Sequence, residues 1–269
     1  METMRFIHMS DIHYKKSYQA SGFEELIAAK RHPRENIRKC IEAEAAEGID
    51  FLLITGDLTH EGELSDCEAL EKLLKEVMGE IPYIVLPGNH DKREAFLPVF
   101  WKGQGCESGR VYDIKGLRII ALDTGTSING VIRQEQLSWL RELLKVPAPK
   151  GTLLALHHPL LDGQDKLPCA EYDKELVEVI SNSDILGIFC GHTHHNFIAQ
   201  FAGKPYFTAD SMAFSMTTKE GELIFEDHAG YTVMERKGTV LSAQVKQTVP
   251  EISVTASFSS DKLSQLFSQ

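Results

Sequence analysis

The sequence has few of the features that mark exported or membrane-spanning proteins. It contains five cysteines, an odd number without a Cys-x-x-Cys pair, so neither a disulfide framework nor a zinc knuckle is indicated. The N-terminus lacks the apolar core of a signal peptide, and no apolar run approaches the roughly 20 residues that a membrane span requires. We therefore expect a chain that works in a reducing, cytoplasmic setting.

Basic residues are scarce as well. The chain has 28 Lys and Arg against 39 Asp and Glu, which gives a formal net charge of −11, and no basic run offsets this balance. Nucleic acids and anionic membranes are bound through clustered Lys and Arg. We therefore expect neither nucleic acid nor a membrane among the partners. The 269 residues, 42% of them hydrophobic, are enough to bury a sizeable core.

Short apolar runs alternate with helix-like segments in the first half of the chain. The apolar runs cover 5–9, 51–55 and 83–86, and the helix-like segments between them cover 34–47 and 64–78. This alternation is typical of parallel βαβαβ units, in which each buried strand delivers polar residues at its carboxyl end. The fold class predicted for the chain is therefore α/β.

The second half adds further strands and ends in a β-rich section. We predict strands over 111–114, 117–122, 153–156 and 185–190, a helix over 134–145, and closing strands over 197–201, 205–209, 231–236 and 240–246. One domain is expected over 1–250. In the tail, 251–269, three apolar residues have the spacing of a short docked helix, although a frayed terminus is the alternative. These residues are Leu263, Leu266 and Phe267.

Five polar clusters follow five of the predicted strands in order. They are Asp11-x-His13, Gly56-Asp57, Gly88-Asn89-His90-Asp91, His157-His158-Pro159 and Gly191-His192-Thr193-His194. Each cluster alone could be a helix cap or a turn. Together they supply oxygen and imidazole ligands suited to Zn, Mn or Fe, at the strand ends where α/β sheets bind ligands. The order and placement of the clusters predict a metal site.

The five blocks resemble the signature blocks of the calcineurin-like metallophosphoesterases, over roughly residues 5–210. In detail they are most similar to the bacterial branch of cyclic-nucleotide and glycerophosphodiester phosphodiesterases. The resemblance implies a four-layer α/β/β/α sandwich with two mixed central sheets. It also implies two divalent or transition metal ions, which could be Fe, Mn, Zn or Co. The first would be held by Asp11, His13 and His194, the second by Asn89, His157 and His192, and Asp57 would bridge both.

The reaction that the resemblance implies is hydrolysis of a small phosphodiester, such as a cyclic nucleotide or a glycerophosphodiester. A hydroxide that bridges the two metals would attack phosphorus in line. His90 would stabilise the transition state or protonate the leaving oxygen, and Asp91 would orient His90 or a ligand. A small-molecule phosphomonoesterase, a nuclease and a non-catalytic interaction module remain alternatives. Pro87 occupies a position where the related protein phosphatases carry Arg, which argues against that branch.

Several residues beside the blocks keep two interpretations. His60 either lines the pocket or lies in solvent, His158 is a second choice to His157 as a ligand, and His195 either contacts substrate or is exposed. Asp123 could support the floor of the site without binding metal. The candidate phosphate-facing cations, each with exposed surface as the alternative, are Lys92, Arg93 and Arg133. The β-rich closing section could supply a surface for a homo-oligomer.

Overall fold

Fourteen strands and six α-helices make up the described part of the computed structural model, which covers residues 3–19, 23–27, 31–162, 167–220, 222–248 and 253–259. The strands are β1 (Thr3–Met9), β2 (Phe51–Thr55), β3 (Tyr83–Leu86), β4 (Gly109–Ile114), β5 (Leu117–Leu122), β6 (Thr152–Leu156), β7 (Ile185–Cys190), β8 (Phe197–Phe201), β9 (Lys204–Thr208), β10 (Ser215–Lys219), β11 (Glu222–Glu226), β12 (Gly230–Lys237), β13 (Val240–Gln247) and β14 (Val254–Ser259). The helices are α1 (Phe23–Ile27), α2 (Pro33–Ala45), α3 (Leu64–Met78), α4 (Arg93–Phe96), α5 (Gln134–Leu144) and α6 (Glu175–Ser181), with a π-helical turn at Leu97–Trp101.

Two mixed sheets form the centre of the fold. The first has the order β13-β12-β1-β2-β3, in which β1, β2 and β3 are parallel and β12 and β13 run antiparallel. The second has the order β4-β5-β6-β7-β9-β8, with four parallel strands between two antiparallel edges. The parallel strands of both sheets carry the polar clusters at their carboxyl ends.

Aromatic side chains join the two sheets face to face. The ring of Phe6 in β1 stacks on Phe51 in β2 with ring centroids 4.5 Å apart, and it meets Phe189 of β7 edge to face at 5.7 Å. All three side chains are fully buried. Burial of each such side chain contributes about 1.5–3 kcal/mol, so this layer holds the two sheets together.

Helices cover the outer face of each sheet, which completes the predicted four-layer sandwich. Helix α3 has apolar residues three and four apart, and it buries Leu70 and Leu74 in the same core as the first sheet. Gly79, with φ of 55°, ends this helix. Helix α5 buries Leu137 and Leu140 against the second sheet.

A third, smaller sheet with the order β10-β11-β14 lies outside the prediction. Its strands are short, and their alternation of buried and exposed residues is weak. Phe225 of β11 packs against Phe214 and Phe258 with ring centroids 5.7 and 5.8 Å apart. Residues 254–259 therefore form a strand and belong to the folded chain, in place of the expected tail after residue 250. The residues with helical spacing, from 263 onward, lie outside the described residues.

Among the described residues, no helix is both long enough and apolar enough to cross a membrane.

Candidate metal centre

The carboxyl ends of five parallel strands meet at one edge of the sandwich. Asp11 and His13 follow β1, Asp57 follows β2, Asn89 follows β3, His157 follows β6, and His192 and His194 follow β7. The structure thus brings together all seven side chains predicted to bind metal. Asn89 is half-buried and the other six are buried.

The first group consists of Asp11, His13 and His194. The Nε2 atoms of His13 and His194 lie 3.2 Å apart, and Nε2 of His194 lies 3.4 Å from Oδ1 of Asp11. The three side chains each offer a ligand atom within 4.8 Å of the others. One oxygen and two imidazole nitrogens therefore surround a common point.

The second group consists of Asn89, His157 and His192. Nε2 of His157 lies 3.1 Å from Oδ1 of Asn89, and the rings of His157 and His192 have centroids 5.1 Å apart. This group contains no carboxylate of its own. The donors that it could offer to a metal are a neutral amide oxygen and two imidazoles.

Asp57 lies between the two groups. Its Oδ1 is 3.5 Å from Nε2 of His157, and its Oδ2 is 3.7 Å from Nε2 of His13. One carboxylate oxygen thus faces each group. A carboxylate in this position can be shared by two cations.

The residues present fit a pair of metal ions. Among the described residues, Oδ1 of Asp11 and Nε2 of His192 are buried polar atoms without a hydrogen-bond partner, which is costly unless another ligand satisfies them. Mixed oxygen and imidazole donors suit transition metals such as Mn, Fe, Zn and Co. Backbone carbonyls accept from Nδ1 of His157 and His194, both at 2.8 Å, so Nε2 of each ring is directed to the centre.

Electrostatics keep most of these imidazoles neutral. Burial, followed by the neighbouring histidines, holds the pKa values of His13 and His192 well below their usual range, and burial also lowers the pKa of His194. Burial works against the charged form of His157 too, but the Asp57 carboxylate outweighs it and raises the pKa of His157 to about 9. A metal ion must therefore displace a proton from His157 before that ring can bind it.

The backbone is strained at most of these positions. Among the described residues, nine other than glycine have positive φ, and five of them are in the two groups or Asp57. These five are Asp11, His13, Asp57, His192 and His194. Gly88 and Gly191 allow the same loops to approach closely, because a Cβ on Gly88 would lie 2.1 Å from Oδ1 of Asp57 and one on Gly191 would lie 1.9 Å from Oγ of Ser10.

Asp91 ties two of the loops together below the centre. Its fully buried carboxylate accepts hydrogen bonds from the backbone nitrogens of Leu58 and Gly88, at 3.0 and 2.9 Å, and from the backbone and hydroxyl of Thr59. These contacts are those of a positioning residue, because they fix the loops that carry Asp57 and Asn89.

His90 and His60 stand beside the first group. The backbone nitrogen of His90 donates to Oδ1 of Asp57 at 2.9 Å, and its Nδ1 lies 2.7 Å from the backbone oxygen of His60. The rings of His60 and His90 stack with centroids 5.4 Å apart, and the His60 ring is 5.6 Å from that of His13. His60 is half-buried, and burial lowers its pKa to about 4. Its ring lies against those of His13 and His90 beside the first group, as the pocket-lining interpretation expects.

The histidines that adjoin ligand positions are held by other partners. Nδ1 of His158 lies 2.7 Å from Oγ1 of Thr124, and its ring is 4.7 Å from that of His192. One nitrogen of His158 is still within 4.8 Å of the His157 and His192 donors, so it keeps its place as the second choice. Nε2 of His195 contacts the backbone oxygen of Met216 in the third sheet.

The candidate phosphate-facing cations have partners elsewhere. The Arg93 guanidinium binds the Asp123 carboxylate, with Nε 2.9 Å from Oδ2, and also the backbone oxygens of Gly88 and Asp91. Lys92 pairs with Glu63, and Arg133 donates to the backbone oxygen of Glu107. Arg93 and Asp123 thus link the Asn89 loop to the second sheet, a role that sequence patterns do not mark.

Comparison with known proteins agrees with this arrangement. The family model for the calcineurin-like phosphoesterases matches residues 4–196. The chain belongs to the calcineurin-like phosphoesterase family. Members of this family are metal-dependent hydrolases of phosphoesters, and the predicted resemblance is confirmed.

Three relatives in the family have named activities. A probable cyclic nucleotide phosphodiesterase of Rhodococcus erythropolis is 34% identical over 220 residues, which are 78% of this chain and 71% of that protein. The cAMP/cGMP dual specificity phosphodiesterase of Mycobacterium tuberculosis is 35% identical over 176 residues, which are 62% of this chain and 55% of that protein. A probable glycerophosphodiester phosphodiesterase of Arcobacter nitrofigilis is 28% identical over 157 residues, which are 54% of this chain and 56% of that protein.

The fold of the family extends to more distant phosphatases. The purple acid phosphatase from yellow lupin seeds superposes with a TM-score of 0.65 at 13% sequence identity, over 96% of this chain and 53% of that one. At this identity the likeness concerns the fold alone. It agrees with the α/β sandwich of two mixed sheets.

Proposed function

We propose that this phosphoesterase hydrolyses a small phosphodiester, a cyclic nucleotide or a glycerophosphodiester, with two metal ions. The observation that carries the proposal is the convergence of six oxygen and imidazole side chains around the Asp57 carboxylate, with the His90 ring beside them. Two of the relatives are named as phosphodiesterases of cyclic nucleotides and a third as a glycerophosphodiester phosphodiesterase, which supports this substrate class.

The two groups divide the metal ligands. Asp11, His13 and His194 would hold one ion, Asn89, His157 and His192 the other, and Asp57 would contact both through its two oxygens. Two ions held in this way would lower the pKa of a water, supply the attacking nucleophile and polarise the phosphoryl group. The neutral ligands of the second group would leave its ion the more electrophilic of the two.

We propose that His90 acts on the substrate. Its backbone nitrogen is fixed by Asp57, and its Nδ1 donates to the backbone oxygen of His60, so the ring cannot rotate freely. Nε2 would then be the ring nitrogen that faces the phosphoryl group. From there it would stabilise the charge that develops on phosphoryl oxygens or protonate the leaving oxygen. Asp91 acts indirectly, because it holds the loops of Asp57 and Asn89.

A substrate panel tests the proposal. The purified chain would be loaded with Mn²⁺ and assayed on bis(p-nitrophenyl) phosphate, p-nitrophenyl phosphate, 3′,5′-cyclic AMP and glycerophosphocholine. We expect Mn²⁺-dependent turnover of the diesters, with slower turnover of the monoester. Faster hydrolysis of the monoester would favour the phosphomonoesterase alternative. Absence of turnover on every substrate would reject the proposed function.

The remaining predictions concern partners and location. We propose that the substrates exclude nucleic acids, because the net charge of −11 repels a phosphate backbone. A plasmid and a single-stranded oligonucleotide in the same assay test this exclusion. The cytoplasmic location and a homo-oligomer also stay predictions, which fractionation of expressing cells and light scattering on the purified protein would check.

A further inference from the structure

The ligand histidines differ in what holds the far side of their rings. Backbone carbonyls of Thr55 and Phe214 accept from Nδ1 of His157 and His194, each at 2.8 Å. For His13 the neighbour is a side chain instead. Its Nδ1 lies 3.4 Å from Nδ1 of His60. The orientation of His13 therefore depends on the identity of residue 60, whereas a carbonyl would be supplied by any residue.

His60 is fixed by its own backbone. Its nitrogen donates to the backbone oxygen of Tyr14 at 3.1 Å, and the nitrogen of Tyr14 donates to the oxygen of Leu58 at 2.9 Å. These bonds join the loop after β2 to the loop that carries His13. The backbone oxygen of His60 also accepts from Nδ1 of His90 at 2.7 Å. One residue thus contacts a metal-ligand candidate with its ring and the His90 ring with its carbonyl.

The proton positions follow from the direction of the His13 ring. Nε2 of His13 faces His194 and Asp57, so it must be unprotonated when it binds a metal. The proton of a neutral His13 ring is then on Nδ1. It donates to Nδ1 of His60, whose own proton is on Nε2. A hydrogen bond to this side of a metal-binding imidazole fixes both its tautomer and its angle.

We propose that His60 is a positioning residue that holds the ring of His13 and thereby strengthens metal binding by the first group. The inference rests on the proposed function, because it requires that the first group binds a metal ion. Partners of this kind typically change metal affinity by about 10–100-fold. The His60 carbonyl remains in every variant, so the hydrogen bond from Nδ1 of His90 is kept when the ring is replaced, although the stacking of the two rings is lost.

Three substitutions separate the hydrogen bond from the bulk of the ring. His60→Asn places an amide oxygen near the position of Nδ1, His60→Leu fills similar space without an acceptor, and His60→Ala removes both. Glu61→Gln, at the exposed neighbour that pairs with Lys15, is the matched control. The full-length proteins would be stripped of metal, checked for folding by circular dichroism, and titrated with Mn²⁺ by equilibrium dialysis.

We expect His60→Leu and His60→Ala to bind one of two Mn²⁺ ions about 10–100-fold more weakly than wild type. The Mn²⁺ affinity of His60→Asn should lie closer to that of the wild type than to that of His60→Leu. The affinity of Glu61→Gln should equal that of the wild type. Wild-type affinity in His60→Leu, or equal weakness in His60→Asn and His60→Leu, would overturn the inference. If His60→Leu does not fold, the Mn²⁺ affinities of His60→Asn and His60→Ala are compared instead. Equal weakness of these two variants would then overturn the inference. A wild-type chain that binds no Mn²⁺ would reject the proposed function itself, and this inference with it.

Discussion

The two groups of the candidate metal centre are held from different parts of the fold. In the second group, the far side of His157 is bound by the carbonyl of Thr55, at the end of β2, an interior strand of the first sheet. In the first group, His194 is bound by the carbonyl of Phe214 at the start of the small third sheet, and His13 is bound by the loop residue His60. The far-side partner of His157 thus belongs to the central core, whereas those of His194 and His13 belong to peripheral elements. Substitutions in the peripheral elements should therefore weaken metal binding by the first group and leave metal binding by the second group unchanged.

The largest effect is expected from Asp57, which both groups share. Asp57→Asn keeps the size of the side chain but removes the negative charge between the groups. We expect activity to fall about 10³-fold, because the loss of metal binding removes several kcal/mol of transition-state stabilisation. Metal analysis should show loss of ions from both groups. Retention of one ion at full occupancy would show that the groups do not depend on a shared carboxylate.

His90 should affect catalysis without affecting either group. We expect His90→Ala to lower kcat by about 10²-fold or more, which is the usual contribution of a proton-transferring side chain. Mn²⁺ content should equal that of the wild type, because the backbone nitrogen that binds Asp57 is unchanged. Steady-state kinetics combined with metal analysis would check both. Loss of metal would instead assign His90 to the ligands.

Phe214 tests the difference between the groups directly. Its buried ring packs against His194 and His13, with centroids 4.5 and 5.6 Å away. We expect Phe214→Ala to weaken the binding of one of the two Mn²⁺ ions about tenfold. The free energy of unfolding should fall by about 3–5 kcal/mol.

Phe189→Ala is the control for Phe214→Ala. Phe189 is fully buried between the two central sheets, so its loss should reduce stability by a similar amount. We expect Mn²⁺ affinity to stay at the wild-type value in this variant. Equal loss of affinity in both variants, measured by dialysis well below their unfolding temperatures, would contradict the division into core and peripheral anchors.

The smallest effect on the centre is expected from Glu44. This buried carboxylate contacts Arg5, and it accepts from Tyr231 at 2.6 Å and from Lys246 at 2.8 Å. Burial opposes its charged form, but the bonds from Lys246, Tyr231 and Arg5 outweigh it and lower the pKa of Glu44 below its usual 4.5. Since the pKa is lower in the folded chain, the stabilisation is complete above pH 4.5 and is lost as the pH falls through the folded pKa.

We therefore expect Glu44→Gln to reduce the free energy of unfolding at pH 7 by about 1.5–3 kcal/mol, with no change in Mn²⁺ affinity. The difference from wild type should shrink in acid below pH 4.5. Urea unfolding at several pH values would measure it. A difference that stays constant into acid would show that the bonds do not depend on the charge of Glu44.

The side chains of the centre could be predicted from sequence because each polar cluster directly follows an apolar run, and because the clusters in their order resemble the signature blocks of the calcineurin-like phosphoesterases. An apolar run that ends in a Gly-Asp or Gly-Asn pair identifies both the strand and the position of its polar end, as at Asp57 and Asn89. Helix α3 matches its predicted range of 64–78 for the same reason, since its apolar spacing is local. These features need no knowledge of distant contacts.

What holds the centre could not be predicted, because it depends on contacts between distant segments. The carbonyls of Thr55 and Phe214 have no sequence signature, since every residue has a carbonyl. Arg93 was a candidate phosphate-facing cation because of its charge and its place beside the Asn89 block. Its guanidinium instead binds the carboxylate of Asp123, 30 residues away. The third sheet was missed because its strands are short and only partly buried.

The positive φ angles at five of the seven predicted ligands have a consequence for protein engineering. A residue with a side chain at positive φ carries about 1–3 kcal/mol of backbone strain, which glycine does not have. Replacing such a residue with glycine should therefore relax the metal-free chain while it removes a ligand. A selection for heat resistance alone would favour these replacements and would yield thermostable but inactive proteins. Thermostable variants should accordingly be selected for hydrolysis and for resistance to heat in the same round.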